Sequence, residues 1–193
     1  MDEQLSERIK VLLVTDGDRI ARRAVERAAG NVGARCISRS AGNPSHLPGK
    51  KVIELIRQAK WDPVVVMVDD KGNIGEGSGE HIIREIAKCT DMDIIGVIAV
   101  ASNTEGVQGI EIDFSITKYG NIVKKTVDKC GNAQAGKVIY GDTVDILNMI
   151  EVPVIVGIGD PGKMNGRDCC DIGSPVITRA MQEIINRSYE ENQ

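Results

Sequence analysis

Five apolar runs in this sequence each break off into acid and glycine: VLLVTDGDR (11–19), VVVMVDDKGN (64–73), VIAVASNTEG (97–106), KVIYGDT (137–143) and VIVGIGDPG (154–162). Short unbroken runs of Val, Ile and Leu between turn residues suit strands buried on both faces. Between them lie stretches whose apolar residues recur at helical spacing. That alternation predicts a parallel sheet with helices on its faces, and it excludes an all-helical or all-antiparallel chain.

Read in order, Lys10–Thr15 is a strand. A helix follows over 18–29, with Ile20, Ala21, Ala24, Val25 and Ala28 on its apolar face, ended by Gly30 and Asn31. Residues 34–38 form a second strand, and SAGNPSHLPG (40–49) is a loop by composition. Val52, Ile53, Leu55, Ile56 and Ala59 mark a helix, and 64–68 is a strand expected at the centre of the sheet. Ile82, Ile83, Ile86 and Ala87 mark a third helix, and 94–100 is a further strand. GIEIDFSIT (109–117) alternates apolar and polar, so it is expected to have one wet face and to lie antiparallel or at an edge, with YGNI as a hairpin turn. Strands at 137–140 and 154–158 flank a helix near 143–150. A last helix starts with Ser174 as N-cap and Pro175 at its first position. The fold class expected is therefore α/β: three layers around a mostly parallel central sheet of about five strands, Toprim-like or Rossmann-like, with an antiparallel hairpin excursion near 109–127. One domain over 1–193 is expected, frayed at 1–8 and 189–193.

Composition narrows the function. Aromatics are scarce, with one Trp, one Phe and three Tyr, so a base-stacking surface for nucleic acid is not expected. Met1 is followed by acid and Gln rather than a basic stretch and an apolar core, which is not the pattern of a signal peptide. The longest apolar run, 94–101, is far too short to span a bilayer. With no export signal, the five cysteines read as reduced thiols, and the two histidines lie far from any of them in sequence, against a zinc site.

In a parallel α/β sheet the strand ends that precede helices share one edge, where ligands bind. Asp16, Asp18, Asp69, Asp70, Asp142 and Asp160 fall on that edge. Clustered carboxylates suit a hard divalent cation such as Ca²⁺ or Mg²⁺. Asp at such junctions is equally a helix cap, and Asp16, Asp18 and Asp142 stand where caps belong. Asp69 and Asp70 are followed by a long loop, so a cation site of Asp16, Asp69 and Asp70 is the functional expectation. The loop KGNIGEGSGE (71–80) matches neither GxGxxG nor a P-loop and reads as a glycine-rich lid. Arg19, Arg22, Arg23 and Arg27 gather on the first helix, either as a solvated face or as a surface for an acidic partner. The adjacent Cys169 and Cys170 have no base nearby in sequence and read as structural or incidental thiols.

Several long segments carry a resemblance: KVLLVTDGDRIARRAVE (10–26), RSAGNPS (39–45), VVVMVDDKGNIGEGSGE (64–80), VIVGIGDPGKMNGRD (154–168) and GSPVITRAMQEI (173–184). Together they resemble the soluble stage V sporulation protein AE family of spore-forming Firmicutes across roughly residues 9–187. That resemblance implies a non-enzymatic accessory role in sporulation and spore germination, alongside the calcium dipicolinate transport machinery. It implies partners among the other proteins of the stage V sporulation A operon at the spore inner membrane, and a place in the forespore or spore cytoplasm or at the periphery of that membrane. Assembly into a homo-oligomer is left open. A more distant likeness is to Toprim domains, in which a Glu-Gly and an Asp-x-Asp hold Mg²⁺ for phosphoryl transfer. The corresponding positions here are Asp16-Gly17 and Asp69-Asp70, and both depart from that pattern.

Overall fold

The structure, a computed structural model, describes residues 8–72, 77–104 and 106–190. Its strands are β1 (Ile9–Val14), β2 (Arg35–Cys36), β3 (Val64–Met67), β4 (Met92–Val100), β5 (Ile110–Glu111), β6 (Phe114–Ile116), β7 (Ile122–Val123), β8 (Val138–Ile139) and β9 (Ile155–Ile158). Its α-helices are α1 (Arg19–Asn31), α2 (Gly49–Arg57), α3 (Ser78–Ala87) and α4 (Pro175–Glu190). Seven strands form the central sheet in the order β2-β3-β1-β4-β9-β6-β7, while β5 and β8 pair separately. Every pairing in the central sheet is parallel except β6 with β7.

The unbroken apolar runs mark strands covered on both sides. In β1, Val11 and Leu13 join the core under α2 and α3, while Leu12 and Val14 join the core under α1 and α4. Each helix turns a single stripe inward: Ala21, Ala24, Val25 and Ala28 from α1, and Val176, Ile177, Ala180, Met181, Ile184 and Ile185 from α4. Gly96 allows α4 to lie close on β4. A Cβ there would stand 2.6 Å from Ile184 Cγ2 and 2.8 Å from Val154 Cγ1.

Five expectations need correction. The sheet has seven strands rather than about five, because the β6–β7 hairpin extends it beyond β9. Its centre is β4, with β3 second from the β2 edge; the apolar run 64–68 reports burial under helices, which a position near an edge also provides. The segment 109–117 is not one strand. After Glu111 the chain leaves the β5–β8 pair, and β6 joins β9 in parallel with Phe114, Ser115 and Ile116 all buried. The expected helix near 143–150 is a single 3₁₀ stretch, Asp145–Met149. Thr143 before it adopts a left-handed φ of 62°. Asp145 then turns its carboxylate to accept from the amides of Gln108 and Gly109, at 3.0 and 2.9 Å.

The fifth correction is at α4. Ser174 does not cap it: its φ is 50° and its buried hydroxyl has no partner. Asp168 Oδ1 caps instead, accepting from the amides of Val176 (2.8 Å) and Ile177 (3.2 Å), while Oδ2 accepts from Gly162 (3.0 Å). One fully buried carboxylate thereby ties the loop after β9 to the start of α4. Among the described residues, no helix is long and apolar enough to cross a membrane.

Candidate functional site

The parallel register places the acids. Val14 faces Met67 across β1 and β3, so two residues further on Asp16 and Asp69 leave the sheet side by side. Val100 faces Ile158 across β4 and β9, so Ser102 and Asp160 do the same. β1 leads to a helix on one face of the sheet and β3 to a helix on the other, so the strand order opens a crevice at this edge. The crevice is a cleft of about 360 Å³ whose lining includes the acids Asp16, Asp18, Asp69, Asp142 and Asp160 and the bases Lys71, Lys129 and Lys163.

Three loops must meet closely to form it. Gly17 accepts from the amide of Gly42 at 2.9 Å, and a Cβ on Gly17 would come within 2.6 Å of the Gly42 carbonyl oxygen. The segment 40–48 is stitched to the end of β3 and the residues after it by two serines: Met67 donates to Ser40 Oγ (2.9 Å) and Asp69 donates to Ser45 Oγ (3.1 Å). Asp69 itself is 4% exposed. Its carboxylate accepts from Lys71 (2.8 Å) and Gly17 (3.2 Å), and so holds the β1 and β3 loops together.

The expected cation trio separates. Asp16 and Asp69 share the cleft, but Asp70 points the other way, as consecutive residues leaving a strand do. Asp70 is buried, and its two oxygens accept from the amides of Gly79 (2.6 Å) and Glu80 (3.2 Å) at the start of α3. It is a helix cap reaching back across the 71–80 loop; residues 73–76 of that glycine-rich lid lie outside the described residues. Asp18 caps α1 at Ile20 (2.7 Å) and Ala21 (2.8 Å) and accepts from Lys163 Nζ at 2.8 Å. Asp142 caps nothing and instead accepts from the amide of Gly72 at 2.5 Å. Among the described residues, no three His, Cys, Asp or Glu side chains are grouped so as to hold a metal ion.

The electrostatics divide the cleft. Burial pushes the Asp16 carboxyl up to about 7, with the charges of Asp18 and Asp69 adding to it and the Asp18 amide and Lys163 opposing. Burial likewise raises Asp69 to about 6, with Asp142 and Asp70 adding and the Lys71 and Gly17 amides opposing. Asp18 goes the opposite way: burial would raise it, but the Lys163 hydrogen bond and the α1 amides together hold it low. Near pH 7, then, the cleft holds carboxyls poised between charged and neutral beside ion pairs that join Lys163 to Asp18 and Asp160 and Lys129 to Asp160. Two acids that surrender protons at that pH can exchange them for a cation or for a hydrogen-bond donor on a ligand.

Lys163, Lys129, Asn43 and Ser102 escaped the sequence reading. The rule that placed Asp160 would have found Lys163, three residues further along the same strand-end loop. The contacts of Asn43 depend on how loop 41–48 folds over β3, which no spacing announces. A larger groove of about 700 Å³ lies at the opposite ends of β4 and β9, with Ile86, Met92, Ile146 and Met149 among its lining. It lacks the convergence of carboxylates that marks the cleft. The arginines all lie exposed on α1, and Arg22 pairs with Glu26 at 2.9 Å.

A sequence profile of the family described as stage V sporulation protein AE1 matches residues 10–188. No curated protein and no solved structure gives a significant match.

Proposed function

The chain belongs to the stage V sporulation protein AE family, and from that premise we propose that it is a non-enzymatic accessory of the machinery that moves calcium dipicolinate during sporulation and germination. In this reading Asp16 and Asp69 hold Ca²⁺ or Mg²⁺ weakly in the cleft, and α1 carries the surface for a partner at the spore inner membrane. The membership itself establishes a sporulation role.

The observation that carries the cation reading is the register that sets Asp16 beside Asp69, both with carboxyls raised chiefly by burial, Asp16 further by the charges of Asp18 and Asp69 and Asp69 further by those of Asp142 and Asp70. A cation that replaces their protons relieves that repulsion. Two carboxylates without a dedicated loop give affinity nearer the millimolar range of extracellular calcium modules than that of calcium sensors. Asp70, the third acid of the sequence reading, is engaged by the α3 amides and is a structural support in this proposal.

The same acid pair favours a rival, a Mg²⁺-dependent Toprim-like phosphoryl transferase. Against it stand Asp where that pattern has Glu, and the commitment of Asp70 to a cap. Nuclease and primase assays with Mg²⁺ or Mn²⁺ separate the two. The accessory reading expects no turnover; activity abolished by Asp69→Ala would replace it with the rival.

A further inference from the structure

We propose that Cys169 and Cys170 form a thiol-exchange site that accepts an anionic low-molecular-weight disulfide. The site is separate from the cleft and does not rest on the cation reading. Both thiols are free and partly exposed. They share a cavity of about 150 Å³ with Arg19, Ile20 and Arg23 from the start of α1, and Gly162 and Asp171 complete its lining.

The arrangement is fixed from both sides. Arg19 and Arg23 stand one turn apart on α1, and neither forms a salt bridge among the described residues. The cysteines sit on a turn whose backbone is bonded in place: the carbonyl of Cys169 accepts from Ile172 (3.2 Å) and Ser174 (3.1 Å), and that of Cys170 accepts from Gly173 (3.0 Å). Two guanidiniums against the single carboxylate of Asp171 leave the cavity mouth positive, in a chain of net charge −4. Such a mouth concentrates small anions, and a guanidinium pairs readily with a carboxylate.

The chemistry is a thiol–disulfide exchange. The thiolate of one cysteine attacks a sulfur of RS–SR; the protein–S–S–R bond forms, the original S–S bond breaks, and RS⁻ leaves with the bonding pair and takes up the proton that the cysteine released. The small disulfide is the oxidant, so the step balances as Cys–SH plus RSSR giving Cys–SSR plus RSH. The neighbouring cysteine does not easily resolve the adduct, because a bridge between adjacent residues strains the peptide that joins them. A single persistent adduct on the pair is therefore expected. It would place negative charge over Arg19 and Arg23, offsetting the positive charge of that part of α1.

The other thiols are internal references. Burial pushes Cys36 up to about 12, which leaves it unreactive, whereas Cys130 is exposed beside both Asp128 and Lys129. The test treats the full chain with oxidised glutathione, neutral hydroxyethyl disulfide and cationic cystamine, and follows adducts by intact mass and peptide mapping. The 169–170 pair is expected to take one adduct, about tenfold faster from oxidised glutathione than from cystamine. That preference should shrink severalfold in Arg19→Gln/Arg23→Gln and, for the unaltered protein, at high salt. The proposal is overturned if Cys130 is modified and the pair is not, if Cys130 shows the same charge preference, or if the preference survives both the double substitution and the salt.

Discussion

Asp69 and Asp70 carry the lesson of the residue scale. Adjacent in sequence and both buried, they serve opposite sides of the sheet edge: one ties the cleft loops together and the other caps α3. In the cleft, burial raises the carboxyls of both Asp69 and its neighbour Asp16. Asp16 moves from an ordinary 3.8 to about 7, so the folded protein keeps a proton that the unfolded chain gives up. Its contribution to stability is complete below pH 3.8 and is lost as pH rises through 7. Asp16→Asn removes that loss while keeping an oxygen for the Asp18 amide. The stability gap between Asp16→Asn and the unaltered protein, read from urea midpoints, should widen by about 1–2 kcal/mol between pH 5 and pH 8, after discounting for the carboxyl's partial exposure. Parallel pH profiles would remove the strain from Asp16. The sequence announced that these acids stand at strand ends. It did not announce which way each points, because that depends on the residue at which the strand stops pleating.

At the scale of elements, patterning located β1, β3, β4 and β9 and all four α-helices, because burial on both faces or along one stripe leaves a direct periodic trace. Short-range cues misled where a distant residue took over the task. The Ser174–Pro175 pair has the form of a helix start, yet the caps of α4 come from Asp168 and Ser174 stands in a left-handed conformation. The alternation through 109–117 hid a change of sheet at 112–113 that only pairing with β8 and β9 decides. The cap assignment gives paired expectations. Asp168→Ala should destabilise by about 2–3 kcal/mol, since it strips a buried acceptor from three amides. Ser174→Gly should be neutral or stabilising by up to about 1 kcal/mol, because glycine adopts that φ without strain. Thermal or urea unfolding of the two variants, with Ser174→Ala beside them, checks both; an Asp168→Ala change smaller than that of Ser174→Ala would return the cap to the serine.

At the scale of the whole molecule, the parallel sheet gathers strand-end loops from β1, β3, β4 and β9 into one cleft, while α1 presents its arginines on the outside. Each basic residue close to an anionic surface contributes about 1 kcal/mol, so four give a salt-sensitive attraction that assists a protein partner rather than anchoring alone. Arg19→Glu with Arg23→Glu should weaken association with spore membranes and leave the fold intact, and raised salt should do the same to the unaltered protein. Fractionation indifferent to both would leave the arginines as a solvated helix face. The central claim is the pairing of Asp16 with Asp69 as a weak cation site, and calorimetric titration of Ca²⁺ at pH 8 tests it most directly, because both carboxyls are then ionised. The account predicts binding near the millimolar range in the unaltered protein and its loss in Asp69→Asn. Identical heats from the two proteins would contradict it and reduce these acids to loop ties and caps.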